Sequence, residues 1–303
     1  MEASAAESPS AIALDFRTSL LRAAAILAVL CLLLLVPVPV DNLAIWAGEV
    51  SDFLHVPIFA ALTYLLARFC FPRQRYVVVL VAACLAIGAE AIQPFFTRSA
   101  SWRDAIYGLL GVGIAAALLM QSWPKTARLA AVLVLAALPV GRTAPPVIDA
   151  VQGWLAFPTV ASFEGLFATS RWHLRNAHMR ALGDHARLLT RGNSTAGSGG
   201  VLIPIVRDWS AYKHLEFDFS LEGQPVVFLV SIRTGSKLPR EQAHYDLVER
   251  YAPGQHHISI DLQSMKPVGN DTPLELDRIQ SLLLIAFDEE PRTIDIGEIR
   301  LTK

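Results

Sequence analysis

Polar side chains that could do chemistry interrupt otherwise apolar runs in the first half of the sequence. Asp52 and His55 are three residues apart, and so are Glu90 and Gln93, a spacing that puts each pair on one face of a helix. Charged groups in such apolar surroundings are usually paired, face a helix bundle or serve a function. The full candidate set is Asp52, His55, Glu90, Gln93, Arg98 and Asp104.

Two kinds of chemistry suit this set. The Arg98 guanidinium could clamp an anionic headgroup through two parallel hydrogen bonds. His55 and Glu90 could instead act as acid and base on an ester or phosphoester, so they are the catalytic candidates. Asp52, His55 and Glu90 do not by themselves guarantee convergent ligands, so the sequence predicts no metal and no other cofactor. Motifs for a nucleophile elbow, a zinc protease or a phosphate loop are absent, and binding is favoured over catalysis.

Structural explanations compete for most of these residues. Asp104 completes an S-x-x-D capping box with Ser101 as the N-cap. Asp52 near a helix start is favoured by the helix dipole, and His55 could be a hydrogen-bonded core histidine. Glu90 is the hardest to explain in this way, because it follows fourteen apolar residues.

Apolar runs predict about five transmembrane helices, since a spanning helix needs roughly 20 apolar residues. A disordered cytoplasmic tail, 1–16, precedes a transmembrane domain over 17–145, and Gly108 and Gly111 predict close helix packing there. A cleaved signal peptide is the alternative for the first run, although no clear cleavage site follows. The predicted helices cover residues 20–40, 53–71, 76–96, 104–121 and 127–145, and the apolar run within the last, 127–140, is the shortest of the five.

Lysine and arginine residues in the short loops predict the orientation of these helices. They occur before the first helix and after the second and fourth, which places the N-terminus in the cytoplasm. Five spans then place the polar set near the outer surface of the membrane and the C-terminal half of the chain outside the cell membrane. If the fifth helix did not span, the C-terminal half would lie in the cytoplasm instead. Membrane lipid is therefore an expected partner, and a formal net charge of −1 gives no indication of nucleic-acid binding.

The second half of the sequence follows a different period. A linker, 146–158, with a short amphipathic helix over 147–155, leads into short alternating or continuous apolar runs at 214–221, 226–234, 256–262, 281–287 and 294–302. Many short strands with little helix predict an all-β sandwich over 159–303. The fold class is therefore an α-helical membrane bundle followed by an all-β, jelly-roll-like sandwich.

The polar set of the first half resembles the VanZ-like membrane protein family over roughly residues 20–122. The matching segments are "DFLH" and "EAIQPFFTRSASWRD", which supply all six residues of the set in the family's order. Gly108 stands where the family has an asparagine, so any hydrogen bond from that asparagine is missing or supplied elsewhere. The resemblance implies a multi-pass protein of the bacterial inner membrane, connected by the family's name with teicoplanin resistance, and brings no known mechanism.

The second half resembles galactose-binding-like jelly rolls, the fold of many carbohydrate-binding modules. The segments "SFEGLF", "DWSAYKHLEFDF", "HHISIDL" and the closing "TIDIGEIRLT" carry this resemblance. It implies sugar contacts from aromatic and polar side chains, although Trp209 and Tyr212 are equally expected to pack under a strand. His256 and His257 should face opposite sides of a strand. The candidate ligand contacts are Trp172, His173, Tyr212, His214, Arg233 and Tyr245.

Together these observations predict a membrane protein that recognises an envelope glycan or lipid-linked sugar, in surface polysaccharide, cell-wall or glycopeptide-resistance processes. Two alternatives stay open. One is a membrane enzyme that uses Glu90 and His55 on a lipid-linked or cell-wall substrate. The other is a scaffold whose external domain binds a protein partner of the envelope.

Overall fold

A computed structural model describes residues 18–29, 45–93, 101–193, 195–204, 207–234, 243–268 and 274–303. Of these residues, 18–29 and 49–143 belong to one compact unit, and 45–48 and 144–303 belong to a second. We call the helices up to Thr143 the helical unit, and the chain from Ala144 to Lys303 the sandwich unit.

Five helices precede the first strand. Four of them, from Glu49 onward, are long and apolar enough to cross a membrane, whereas α1 is shorter. The rest of the first predicted span and the predicted tail, 1–16, lie outside the described residues. The helices are α1 (Thr18–Val29), α2 (Ile45–Leu65, extended by a π-helical turn over Leu66–Cys70), α3 (Arg75–Ile92), α4 (Trp102–Leu119) and α5 (Lys125–Ala156).

Two helices are longer than the sequence predicted. The second begins at Ile45 rather than residue 53, within the predicted first loop. The fifth continues to Ala156, so most of the predicted linker, 146–158, is helical, and the short helix expected at 147–155 is the end of α5. Pro145 and Pro146 lack the N–H that a helix interior uses, and the boundary between the two units falls just before them.

Two glycines on α4 allow it to approach its neighbours closely. A Cβ atom at Gly111 would lie 2.3 Å from the Val56 carbonyl oxygen on α2, and one at Gly108 would lie 2.9 Å from the Ala86 Cβ on α3. This confirms the predicted role of these glycines in packing. It also leaves no space at Gly108 for the asparagine of the VanZ-like pattern.

The outward sides of α3 and α5 are apolar. Leu80 on α3 and Leu133 and Val134 on α5 are all exposed in the isolated chain. Exposed apolar stripes of this kind suit contact with lipid.

The sandwich unit contains twelve strands in two antiparallel sheets. The seven-stranded sheet has the order β1-β12-β6-β11-β4-β3, with β9 paired to the other side of β6, and the five-stranded sheet has the order β2-β5-β10-β7-β8. The strands are β1 (Thr159–Ala161), β2 (Trp172–Arg175), β3 (Ala177–Ala181), β4 (His185–Thr190), β5 (Ser198–Leu202), β6 (His214–Leu221), β7 (Val226–Thr234), β8 (His244–Tyr251), β9 (Gly254–Asp261), β10 (Ile279–Phe287), β11 (Thr293–Gly297) and β12 (Ile299–Thr302).

The core lies between the two sheets and is built from alternate residues of each strand. On β6, Leu215, Phe217, Phe219 and Leu221 point inward and are buried, and β7 and β10 lie inside the five-stranded sheet as their continuous apolar runs predicted.

The run 294–302 forms two strands rather than the single closing strand that the sequence predicted. Ile294 and Ile296 are buried, and then Ile299 and Leu301, so the alternation shifts by one residue at Gly297–Glu298. Because side chains alternate with period two, this shift ends one strand and begins another. Strand β11 consequently pairs with the end of β6 and β12 with its beginning.

Candidate functional sites

Three ionisable side chains converge within the helical unit. His55 on α2 is 3% exposed, Glu90 on α3 is 7% exposed and Asp104 on α4 is 4% exposed. His55 Nε2 lies 3.9 Å from Glu90 Oε1 and 4.0 Å from Asp104 Oδ2. Three separate helices thus bring an imidazole and two carboxyl groups to one buried position, which we call the helical cluster.

Glu90 is held by two hydrogen bonds. Its Oε1 accepts one from Gln93 Nε2 at 2.9 Å, as the i, i+3 spacing predicted, and its Oε2 accepts one from the Ser101 backbone N–H at 3.0 Å. Ser101 Oγ accepts from the Asp104 N–H at 3.4 Å, so half of the predicted capping box forms. Glu90 provides the other half in place of Asp104, which leaves the Asp104 carboxyl group facing His55.

The hydrogen bonds of His55 define its tautomer. Its Nδ1 lies 3.1 Å from the Asp52 carbonyl oxygen and 3.3 Å from that of Ser51. Carbonyl oxygens only accept, so Nδ1 carries the proton and donates it. In the neutral ring, Nε2 therefore presents its lone pair to Glu90 and Asp104, and among the described residues it has no hydrogen-bond partner.

The other polar residues surround this cluster. Asp52 is half-buried, and its carboxyl group shares a hydrogen bond with that of Asp104. Arg103 Nη1 lies 3.7 Å from Glu49 Oε1. Arg98 lies outside the described residues, so its role as a clamp for an anionic headgroup stays a prediction. Within the described chain, five of the six predicted residues occupy one region.

A metal ion is among the ligands that the cluster could hold. One ligand atom from each of His55, Glu90 and Asp104 lies within 4.8 Å of the others. From the sequence we predicted no metal, because Asp52 was the third candidate ligand beside His55 and Glu90. In the structure, Asp104 is the third ligand of the group instead. The same three groups could also exchange protons with a bound ester or phosphoester.

The predicted aromatic contacts of the sandwich unit are largely part of its core. Trp172 is 6% exposed and stacks on Phe163 with ring centroids 6.2 Å apart. Trp209 is 1% exposed, and Tyr212 packs edge-on against Phe157. Trp209 and Tyr212 therefore pack beneath the sheet, as the structural explanation expected.

The structure does not bring the six predicted sugar contacts together. Trp172 and His173 lie on β2 and Tyr245 lies on β8, at opposite edges of the five-stranded sheet and roughly 19 Å apart at the usual strand spacing. Arg233 is on β7 beside β8, whereas His214 is on β6 in the other sheet. A ligand contact by any single one of them stays a prediction, but they do not line one site.

A groove that the sequence did not predict lies on the outer face of the seven-stranded sheet. It has a volume of about 590 Å³ and crosses β9, β6, β11 and β4, a width of roughly 14 Å. All but Phe219 and Gly297 of its lining residues have polar side chains. The lining residues are Asp184, His185, Asp218, Phe219, Ser220, Gln255, His256, His257, Asp295 and Gly297.

Two histidine–aspartate pairs stand at opposite sides of the groove. His257 Nδ1 lies 2.7 Å from Asp218 Oδ1, and His185 Nδ1 lies 2.7 Å from Asp184 Oδ1. The hydrogen bond from His185 lowers the pKa of Asp184. We call the surface formed by the ten lining residues named above the sheet groove.

Asp295 on the groove floor is held by Arg187. The guanidinium donates to both carboxylate oxygens, at 2.8 and 2.9 Å. These hydrogen bonds lower the pKa of Asp295, against the smaller opposing effect of burial. The Asp295 carboxylate therefore stays ionised, as one half of an ion pair with Arg187.

One pattern in the sequence already indicated this face. Polar residues alternate with apolar ones on β6 and β9, and the register pairs Asp218 with His257 and Ser220 with Gln255. His256 turns inward and stacks on Phe219, while His257 points out, as predicted. The strand pairing, which the sequence does not show, decides which polar residues become neighbours.

No protein-family model and no curated protein matches this chain, so the VanZ-like resemblance stays a prediction. Several solved structures are similar to the sandwich unit. A family 11 carbohydrate-binding module from Clostridium thermocellum is 18% identical, with a TM-score of 0.39 over 48% of this chain and 94% of the module. The agarase AgWH50C is 12% identical, with a TM-score of 0.40 over 48% of this chain and 24% of the agarase.

A third similar structure is the N-terminal cellulose-binding domain of β-1,4-glucanase C from Cellulomonas fimi. It is 12% identical, with a TM-score of 0.32 over 46% of this chain and 91% of that domain. These similarities are confined to the sandwich unit, and they assign no ligand to this chain.

Proposed function

We propose that this protein is an integral membrane protein of the bacterial cell envelope whose sandwich unit recognises an envelope glycan or the sugar of a lipid-linked glycan. The sheet groove carries the proposal. It is a concave surface lined mainly by polar residues, in a chain whose described part also has four helices suited to span a membrane.

The chemistry of the groove suits a ligand rich in hydroxyl groups. Hydroxyls both donate and accept hydrogen bonds, and the groove offers the acceptors Asp184, Asp218 and Asp295 beside the mixed donors and acceptors Ser220 and Gln255. Paired strands hold most of these side chains, and His185, His257 and Arg187 orient the three carboxylates. Such preorganisation reduces the entropy lost on binding.

The helical unit supports a role at the membrane. The loop charges favour a cytoplasmic N-terminus and an extracytoplasmic sandwich unit, and the VanZ-like resemblance favours surface polysaccharide, cell-wall or glycopeptide-resistance processes. In this proposal the long apolar helices anchor the protein in the membrane.

Glycan binding tests the proposal. The full chain in lipid nanodiscs is screened on an array of envelope glycans, beside Asp218→Asn and a control, Glu216→Gln. Glu216 lies on the same outward face of β6 and is not among the groove residues. We expect Asp218→Asn to weaken binding by about tenfold or more, because a hydrogen bond to a charged group is lost, and the control to bind normally. Absence of any bound glycan, or equal binding by Asp218→Asn, would refute the proposal.

The orientation has its own test. Thr195 is exposed in the turn before β5, so Thr195→Cys in a background without the native cysteines offers one thiol for labelling. We expect a membrane-impermeant reagent to label it from outside intact cells. Labelling only after the cytoplasm is opened would reverse the proposed side.

A second function, membrane catalysis, is favoured by one observation. The lone pair of His55 Nε2 faces Glu90 and Asp104 in a buried position, as a general base would. Glu90→Gln and His55→Ala are compared with the parent chain for teicoplanin resistance in a host that expresses them at equal level. Retained resistance in both variants would exclude catalysis by these groups in that process, whereas its loss in both supports the second function.

A further inference from the structure

The helical cluster has the donor atoms of a metal site, a property separate from glycan binding by the sheet groove. It presents one imidazole nitrogen and two carboxylate oxygens from α2, α3 and α4, within 4.8 Å of one another. Each of the three residues is at least nine-tenths buried. Open catalytic metal sites commonly use three protein ligands of this kind and leave further positions for water or substrate.

His55 has the tautomer that ligation needs. Its Nδ1–H donates to the Asp52 carbonyl, so in the neutral ring Nε2 carries the lone pair and points towards Glu90 and Asp104. At 3.9 and 4.0 Å, both oxygens are too far away for a direct hydrogen bond to Nε2. This buried nitrogen has no hydrogen-bond partner in the described part of the chain. The two carboxyl oxygens that it faces can donate a hydrogen bond to its lone pair only if those carboxyl groups are protonated.

Partners outside the cluster orient all three ligands. The Asp52 carbonyl holds His55, Gln93 and the Ser101 N–H hold Glu90, and the Asp52 carboxyl group holds Asp104. Metal ligands typically have such outer hydrogen bonds, which fix the tautomer of the histidine and the rotation of the carboxylates.

The distances require little adjustment. An ion bound at about 2.0–2.2 Å holds two ligand atoms roughly 3.0–3.5 Å apart. The separations from Nε2 are 3.9 and 4.0 Å, so each needs to close by roughly 0.5–1 Å, and the two carboxylate oxygens, which lie within 4.8 Å of each other, need to close by at most roughly 1.5 Å. Small side-chain rotations of Glu90 and Asp104 provide this movement.

We propose that His55, Glu90 and Asp104 bind one divalent first-row transition-metal ion, of the zinc or manganese class. One imidazole and two carboxylates suit these ions better than Ca²⁺ or Mg²⁺, which prefer all-oxygen ligands. The remaining coordination positions of the ion accept water or an anionic group, such as the phosphate of a lipid-linked ligand.

Metal content of the full chain tests this site. The purified protein in detergent is stripped with a chelator, reloaded with Zn²⁺ or Mn²⁺, dialysed and measured by elemental analysis. We expect one ion per chain for one of these metals. His55→Ala, Glu90→Gln and Asp104→Asn should each weaken binding by about a hundredfold or more, since each removes a direct ligand. Glu49→Gln is the matched control, because Glu49 pairs with Arg103 and lies outside the cluster.

A spectroscopic measurement separates ligation from folding defects. In the Mn²⁺-loaded protein, electron spin echo modulation should show a directly bound nitrogen that disappears in His55→Ala and persists in Glu49→Gln. An intact wild-type chain that retains neither ion, or a bound ion without nitrogen coupling, would overturn the proposal. Glycan binding is measured separately with Asp218→Asn, so failure of either proposal is seen independently of the other.

Discussion

The helical unit buries the polar side chains of its candidate site, whereas the sandwich unit exposes most of those that line its groove. His55, Glu90 and Asp104 are almost inaccessible, but the side chains of Asp184 and Asp218 at the sheet groove are 86% and 79% exposed. In apolar helices a polar residue is itself informative, because burying it without a partner is costly. On a solvated sheet face polar residues are ordinary, so residue type alone does not distinguish a site.

The first prediction tests whether aromatic residues of the sandwich serve its core. Trp172→Ala should lower the free energy of unfolding by about 3–5 kcal/mol, because a large buried side chain is removed from beside Phe163. His173→Ala, at an exposed neighbour, should change it by less than about 0.5 kcal/mol. Denaturant unfolding of the full chain in detergent measures both. If the Trp172→Ala variant were as stable as the parent chain but no longer bound glycan, Trp172 would contact the ligand rather than serve the core.

The second prediction concerns the buried carboxylate of Asp149, which pairs with the buried guanidinium of Arg171. Asp149 near the end of α5 receives the Arg171 backbone N–H at 3.0 Å, and its Oδ1 lies 3.2 Å from Arg171 Nε. Asp149→Asn should destabilise the sandwich unit by about 1.5–3 kcal/mol, because a buried guanidinium loses its countercharge.

Asp277→Asn provides the comparison for Asp149→Asn. Asp277 forms an exposed pair with Arg278 at 3.8 Å, and loss of such a pair should cost less than about 1 kcal/mol. Equal effects of the two substitutions in the same unfolding assay would show that burial is not what distinguishes the pairs.

The third prediction tests the packing that brings the helical cluster together. Gly111→Ala should destabilise the helical unit by about 1–3 kcal/mol, because the added Cβ meets the α2 backbone at Val56 and Ala60. Gly88→Ala on α3 is the control, since its Cβ would meet no atom within 4 Å. Thermal aggregation in detergent compares them, and an unaffected Gly111→Ala would contradict the close approach of α4 to α2.

The smallest effect is expected from pH at the sheet groove. Arg187 lowers the pKa of Asp295 below its unfolded value of about 3.9, so the pair stabilises the folded chain fully above that pH. Stability from this pair is lost as the pH falls through the folded pKa of Asp295. The unfolding midpoint should therefore fall less steeply below about pH 4 in Arg187→Gln than in the parent chain. Identical pH profiles would show that the ion pair contributes nothing.

Local structure was largely predictable from the sequence. The runs 214–221 and 226–234 match β6 and β7 residue for residue, because period two and continuous apolarity are properties of the chain itself. The division of 294–302 into β11 and β12 was not predicted, although the one-residue shift in the alternation is present in the sequence. The helix over 147–155 was predicted, but its continuity with the fifth apolar helix was not, because Pro145 and Pro146 lack the N–H that a helix interior uses.

Site geometry was predictable only in part. Spacing and polarity selected His55, Glu90, Gln93 and Asp104, but the exchange of capping partners between Glu90 and Asp104 depends on α3 and α4 lying side by side. The sheet groove was missed, because its residues come from β4, β6, β9 and β11 and become neighbours only through strand pairing.

The sequence by itself determined which segments are helices or strands and which residues are out of place in an apolar setting. These properties depend on periodicity and on the cost of burying charge, both of which act within a short stretch of chain. Tertiary structure alone decided that the lone pair of His55 faces Glu90 and Asp104, and that Trp172 fills the core while Asp218 borders a groove. The reason is that such contacts depend on how separate elements pack together, and distances of a few ångströms between residues far apart in sequence exist only once they have packed.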